Sequence, residues 1–355
     1  VYVAVAVLAF TVGALVAVRR PVLHRMPSRP PRPHLLTKFV YVGASGNLAA
    51  SLLALRANDL SLREVFSLEG LFSSANAVAV ARYGGDIYST PLSSFMLGLG
   101  YVAAMLAPFA YSRTRRRLTL LAPVISSLVY AAVTTERLGL LVTVALTTGS
   151  LISRQVVEEG RVPNLSPRLL VTVVVAGLGV GMIFTSIAFL RVGKVDASVS
   201  QQVWDKQVTY ALGSVPAFSL WYERHVHYPS ELPIAFGSAS IAGVGLLSAR
   251  ERSDYRAYTE FVTIDSTGRS TNVYTIFRGA ILDFSEAGAL AVFAMLGLLF
   301  GTAYRSAMAG SYAAAAAMSN AYALILLSNT MAISTFSNVL MAMLLGPVLL
   351  RASLV

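Results

Sequence analysis

The strongest constraint on this chain is a recurring apolar run long enough to cross a membrane. Runs lie at 1–18, 36–54, 93–111, 118–135, 138–152, 169–190, 285–303, 311–328 and 333–350. A helix rises about 1.5 Å per residue, so a run of about 20 residues spans a hydrocarbon core of roughly 30 Å. Backbone inside lipid has no water to bond, which leaves helices or closed barrels as the only spanning structures. The alternation of an outer-membrane strand is absent, so the runs read as helices. The expectation is one all-α polytopic membrane unit over 1–355 with about nine visible transmembrane helices. Charged residues make up only 13% of the chain, which excludes an ordinary water-soluble enzyme and a disordered scaffold. The chain begins at Val1 inside an apolar run. The true N-terminus is therefore expected upstream, and no signal peptide is readable.

The connections alternate in charge. Residues 19–38 carry Arg19, Arg20, Arg25, Arg29, Arg32 and Lys38 without an acid, and residues 112–117 carry Arg113, Arg115, Arg116 and Arg117. Residues 153–168 hold Arg154, Arg161 and Arg168, and Arg305 and Arg351 follow at the same parity. The positive-inside rule puts this face in the cytoplasm and turns 55–92, 136–137, 191–284 and 329–332 outward. The net charge of +11 then needs no nucleic-acid partner. Headgroup contacts and orientation account for it.

The connection 191–284 far exceeds an ordinary loop. It holds both tryptophans, Trp204 and Trp221, and two of the four histidines. Within it, 208–222 and 233–248 are apolar but interrupted by Pro216, Pro233 and several glycines. They are expected to be re-entrant or interfacial.

Several chemistries lack their residues. There is no Gly-rich phosphate loop ending in Lys-Ser/Thr, no His-Glu-x-x-His and no Gly-x-Ser-x-Gly. Cysteine is zero and the histidines (His24, His34, His225, His227) are scattered, so no metal site and no cofactor are expected. What remains is arginine at outer membrane edges: Arg137, Arg191, Arg269 and Arg278. A single such arginine reads as an interfacial anchor. Four facing one cavity suit a diphosphate, because a guanidinium binds phosphate oxygens in a two-pronged fork and keeps its charge.

These arginines sit in distinctive surroundings. Residues 266–284 read Ser-Thr-Gly-Arg-Ser-Thr-Asn-Val-Tyr-Thr-Ile-Phe-Arg-Gly-Ala-Ile-Leu-Asp-Phe. The element Asn-Val-Tyr-Thr-x-Phe-Arg followed by Asp-Phe resembles the bacterial oligosaccharide repeat-unit polymerases, the O-antigen polymerase family. Thr134-Thr135-Glu136-Arg137-Leu138-Gly139, Tyr210-Ala211-Leu212-Gly213-Ser214-Val215-Pro216-Ala217-Phe218 and Phe236-Gly237 are similar to further elements of that family in the same order. The resemblance covers roughly 120–300.

That resemblance implies a glycosyltransferase-like (GT-C-like) architecture in the bacterial cytoplasmic membrane, with 191–284 carrying much of an outward-facing active site. It implies transfer of a growing glycan from undecaprenyl diphosphate onto a lipid-linked repeat unit. The partners implied are the lipid-linked donor and acceptor, membrane lipids and a chain-length regulator, with no nucleic acid. With that activity, the residues expected in catalysis are Arg278, Arg137, Arg191, His225 and Asp283, with Asp283 either acting directly or orienting Arg278. Those expected in substrate binding are Arg269, Asn272, Tyr274, Thr275, Tyr210, Arg224 and Glu136. The acceptor hydroxyl needs a base; His225 is the first expectation, before Glu136, Glu260 and Asp283. Asp86 is a weaker candidate acid in the first outer loop. A related ligase, moving finished glycan to another acceptor, shares these features. A lipid-linked oligosaccharide flippase is the non-enzymatic alternative, and would carry broken helices at mid-membrane.

Overall fold

The structure, a computed structural model, describes residues 1–19, 30–58, 60, 67–84, 90–161, 167–192, 197–227, 234–244, 260–330 and 332–354. Asp86, His24 and residues 20–29 of the basic run 19–38 lie outside the described residues, as does the side chain of His227.

The chain is mostly helical. In order come α1 (Tyr2–Val18), α2 (Pro33–Ala57), α3 (Leu68–Gly84), α4 (Pro91–Thr114), α5 (Arg117–Thr134), α6 (Arg137–Glu159), α7 (Pro167–Val192), α8 (Ala197–Leu212) and α9 (Ser214–His227). The strands β1 (Val262–Thr263) and β2 (Ser270–Thr271) follow, then α10 (Ile276–Met308), α11 (Tyr312–Leu326) and α12 (Ser337–Ala352). Every apolar run coincides with a helix. Among the described residues five helices, α2, α4, α5, α6 and α10, are long and apolar enough to cross a membrane; α1, residues 177–192 of α7, α11 and α12 are shorter apolar helices. Large apolar side chains such as Val42, Leu118 and Leu344 face outward, as lipid contact requires.

The core forms around α4, whose residues from Gly100 to Ala110 are all buried. Helices α2, α5, α6 and α12 surround it. Lipid provides no hydrophobic drive between helices, so close van der Waals approach has to hold them. Small residues supply it: a Cβ on Gly43 of α2 would collide with the carbonyl of Leu99. Helix α11 packs on α6, and α1 packs on α10. At the end of the bundle where α4 and α6 finish, Glu158 accepts from Ser112 at 2.8 Å and meets Arg113 and Arg154, each at 3.7 Å. Arg113 also donates to the Tyr312 hydroxyl at 2.6 Å. This clasp ties α4, α6 and α11 together.

The connection 55–92 departs from the sequence expectation, and the stretch 208–222 takes a form that the expectation allowed. The connection 55–92 contains α3, which packs on α5 and α7. The stretch 208–222 is helical on both sides of one break at Gly213. Pro216 falls in the first turn of α9, where its missing N–H is no loss.

Helix α10 is itself broken. Ser285 sits at φ 62° and ψ 175°, so the carbonyls just before it lose their helical donors. Residues 234–244 replace them: the Ala235 N–H donates to Leu282 O at 3.0 Å and the Phe236 N–H to Asp283 O at 2.9 Å. The Asp283 carboxylate, fully buried, accepts from the Ala239 N–H at 2.8 Å and from the Ser240 hydroxyl. The segment is held from its other side by Ala242 N–H to Ser334 O at 2.8 Å and Ser334 Oγ to Ser240 O at 2.7 Å. Irregular backbone is tolerated here because protein covers it.

Candidate functional site

A left-handed residue, Thr135 at φ 56°, closes a tight turn between α5 and α6. That turn makes Arg137 the first residue of α6. Its guanidinium lies over the rings of Phe184, at 4.4 Å, and Tyr210, at 4.8 Å, and the residue is only 9% exposed. The turn also brings Glu136 within 3.2 Å of the Tyr130 hydroxyl, which donates to it. Arg191 arrives from the last turn of α7, whose end is fixed by Asn76 of α3 donating to the Arg191 carbonyl at 2.9 Å.

Arg269 comes from the β1–β2 hairpin, where Val262 pairs with Thr271 and Thr263 with Ser270. Asp265 organises its turn, accepting from Thr267 Oγ1 at 2.7 Å and from the N–H groups of Thr267 and Arg269 at 3.0 Å each. Gly268 takes the left-handed position at φ 82°, the usual chemistry of an Asx turn. The Thr267 hydroxyl, ahead of the backbone donors and Arg269, holds the Asp265 carboxyl below the usual range. Arg269 in turn meets Asp265 at 3.4 Å and Asp205 at 3.7 Å.

Arg137, Arg191 and Arg269 line one cavity of about 550 Å³, together with Lys206, Tyr210 and Asn272. The positive end of α6 adds to the same potential. The cavity shares Arg137, Arg191 and Tyr210 with a larger groove of about 1080 Å³. Glu136 lines that groove, whose remaining wall is mostly apolar, with Leu178, Met182, Phe184, Trp204 and Leu326. A compact cationic chamber thus lies beside a greasy trough, with Arg137, Arg191 and Tyr210 lining both.

Arg278 does not join the lining of either space. It is 2% exposed and donates to Glu260 at 2.6 Å. Its guanidinium lies 3.9 Å from the Tyr274 ring centroid and 5.3 Å from that of Trp221. Tyr274 reaches the Glu260 carbonyl at 3.3 Å, and burial pushes its phenol up against the opposing pull of Arg278. His225 belongs to this second group: its ring stacks on Trp221 with centroids 4.9 Å apart. Burial pushes its imidazole below the ordinary histidine value, and Glu286 partly opposes the shift. Glu286 accepts from the Tyr222 hydroxyl at 3.2 Å.

The expectation that all four arginines share one cavity is therefore corrected to three, with Arg278 held by Glu260 next to it in the chain fold. Asp283 is corrected as well. Its hydrogen bonds go to 239–240, and the acid that meets Arg278 is Glu260. Thr275 is the buried N-cap residue of α10, and Arg224 is exposed on α9. The two groups are joined by one strand of backbone: Thr271 and Asn272 line the cavity, Val273 lines the groove and Tyr274 touches Arg278.

Sequence reasoning passed over Lys206 and Thr209 of α8, Ala79 and Val80 of α3, and Glu286. The first two had a signal. Val203, Lys206 and Tyr210 recur at helical spacing, and all line the cavity. Among the described residues no cluster of histidine and acidic side chains could hold a metal ion. Compared with known protein families, with curated proteins and with solved structures, the chain matches none.

Proposed function

We propose that this protein is a membrane glycosyltransferase that polymerises lipid-linked oligosaccharide repeat units at the outer face of a bacterial cytoplasmic membrane. In this reading nine helices span the bilayer and 191–284 lies outside. One observation carries it: three guanidiniums from distant parts of the chain line a single chamber that adjoins an apolar groove. An amphiphile with a diphosphate head and a long hydrocarbon tail matches that shape and charge. The resemblance around 271–284 agrees.

The chemistry follows from the groups present. An acceptor hydroxyl attacks the anomeric carbon, the bond from that carbon to the diphosphate oxygen breaks, and the lipid diphosphate leaves. Arg137, Arg191 and Arg269 neutralise the charge that grows on the leaving oxygen, the kind of donor whose removal costs on the order of a hundredfold in rate. His225, kept neutral by burial, takes the hydroxyl proton. Trp221, half-buried beside His225, borders the space for a sugar ring, while the buried Tyr274 holds Arg278 in place.

One observation favours a second reading, a lipid-linked oligosaccharide transporter: the break in α10 at Ser285, since transporters place substrate sites at discontinuous helices. Purified protein given one lipid-linked repeat unit separates the readings. A ladder of glycan lengths supports the polymerase. A single transfer to a different acceptor indicates a ligase. Movement across a vesicle with no new glycosidic bond indicates transport and removes the polymerase reading.

A further inference from the structure

Helix α7 carries Gly177, Gly179 and Gly181, and a Cβ built on any of them meets nothing within 4 Å among the described residues. Other glycines of the bundle behave differently. Those at 43, 149 and 297 lie against the backbone of a neighbouring helix, where no larger residue fits. Glycine inside a helix is unfavourable relative to alanine, and among the described residues no close helix approach accounts for it on α7. The groove does. Gly177 and Gly181, one turn apart, line it, and Gly179 does not. They lower the helix surface beside a ridge made by Leu178 and Met182, which stack one turn apart and are 64% and 68% exposed. Trp204 of α8 and Leu326 of α11 form further wall, and the polar end is Arg137 with Arg191.

Resting on the function proposed above, we propose that this groove holds the isoprenoid chain of the lipid diphosphate, and that Gly177 and Gly181 are the residues that admit it. The charge at one end selects an anionic headgroup. The missing side chains widen the trough for a methyl-branched chain beyond what a straight acyl chain needs. Moving a chain from lipid into an apolar groove gains little, because lipid tails are as apolar as leucine. The groove therefore acts on position, fixing the first isoprene units so that the diphosphate meets the arginines. Misplacement of a reacting group by about 1 Å costs up to about a hundredfold in rate.

The test uses full-length protein in nanodiscs and undecaprenyl diphosphate bearing a diazirine on its first isoprene units, with no sugar attached. Gly177→Leu and Gly181→Leu fill the groove, and Gly179→Leu adds the same bulk off it. All three raise helix propensity and meet no described neighbour at Cβ, and a melting temperature equal to that of wild type checks that each folds. Wild type and Gly179→Leu are expected to label at Leu178, Met182 or Trp204, and the two groove variants at least tenfold less. Unlabelled polyprenyl diphosphate should compete; inorganic diphosphate and phosphatidylglycerol should not. Equal labelling of all four proteins, or competition by phosphatidylglycerol, overturns the proposal. Groove labelling without glycan ladders removes the polymerase reading and leaves the lipid site standing. Normal ladders from Gly177→Leu and Gly181→Leu do the reverse.

Discussion

Arg278 lies in the most family-like stretch of the chain, and its surroundings allow its structural and chemical roles to be separated. Its side chain is 3% exposed, and that of its partner Glu260 is 35% exposed. Breaking a fully buried pair costs about 3–5 kcal/mol, because one charge is left stranded. Here Arg278→Ala strands Glu260, which reaches water, so this part falls to about 1–2 kcal/mol. The two aromatic contacts add about 0.5–1 kcal/mol each. Arg278→Ala should therefore destabilise by about 2–4 kcal/mol. Arg278→Met with Glu260→Gln removes both charges and keeps most of the volume, and should return to within about 1 kcal/mol of wild type. Thermal unfolding in one detergent measures both, with ladder formation on lipid-linked substrate as the second readout. A stable but inactive double variant places Arg278 or Glu260 on the substrate. A stable and active one makes the pair structural and leaves catalysis to Arg137 and Arg191. If Arg278→Ala unfolds like wild type, or the double variant is no more stable than the single, the pair is not the anchor described here.

Arg137→Ala should lower the rate by on the order of a hundredfold, and Arg137→Lys should recover only part of it because the fork is lost; initial rates of glycan extension decide, and full recovery by lysine removes the bidentate argument. For His225, burial lowers the pKa in the folded chain, so its contribution to stability is complete above the ordinary histidine value and is lost as pH falls through the depressed one. The acid limb of the rate profile should lie below the ordinary histidine range, and Glu286→Gln, which removes the opposing charge, should move it lower still; an unmoved limb in His225→Gln takes the base assignment away. For the topology, single cysteines at 268 and 115 in this cysteine-free chain should react with an impermeant reagent in intact cells at 268 and not at 115; the opposite pattern turns the site to the cytoplasm.

Long apolar segments were legible because a helix in lipid needs little beyond length and hydrophobicity. The run 93–111 became Pro91–Thr114 and 118–135 became Arg117–Thr134. Leu68–Gly84 was missed because it mixes Ser, Asn and Ala with apolar residues and shows neither a continuous run nor a stripe. The first part of α10 was missed because Arg278 and Asp283 make 276–284 look like a loop, and the partners they meet, Glu260 and Ala239, lie outside the helix. In the site, Arg137, Arg191 and Arg269 were legible as residue types at segment ends. Their convergence depends on a tight turn and a hairpin. The exclusion of Arg278 depends on one acid that no spacing rule connects to it.

The way 234–244 is bonded imposes an order on biosynthesis. Its backbone N–H groups at 235 and 236 find their acceptors at Leu282 and Asp283, and Ala242 finds its own only at Ser334. Translation proceeds from the N-terminus, so this segment is made well before the residues that complete it. Until α10 is inserted it has no such acceptors and has to stay in water or at the interface. Closure then waits for the turn preceding α12. A nascent chain stopped after α11 would carry Arg137, Arg191 and Arg269 yet lack the Ser334 contacts that hold the segment in place. The machinery that guards unfinished membrane proteins would meet this irregular stretch as a late-maturing part of the molecule, finished only near the end of synthesis.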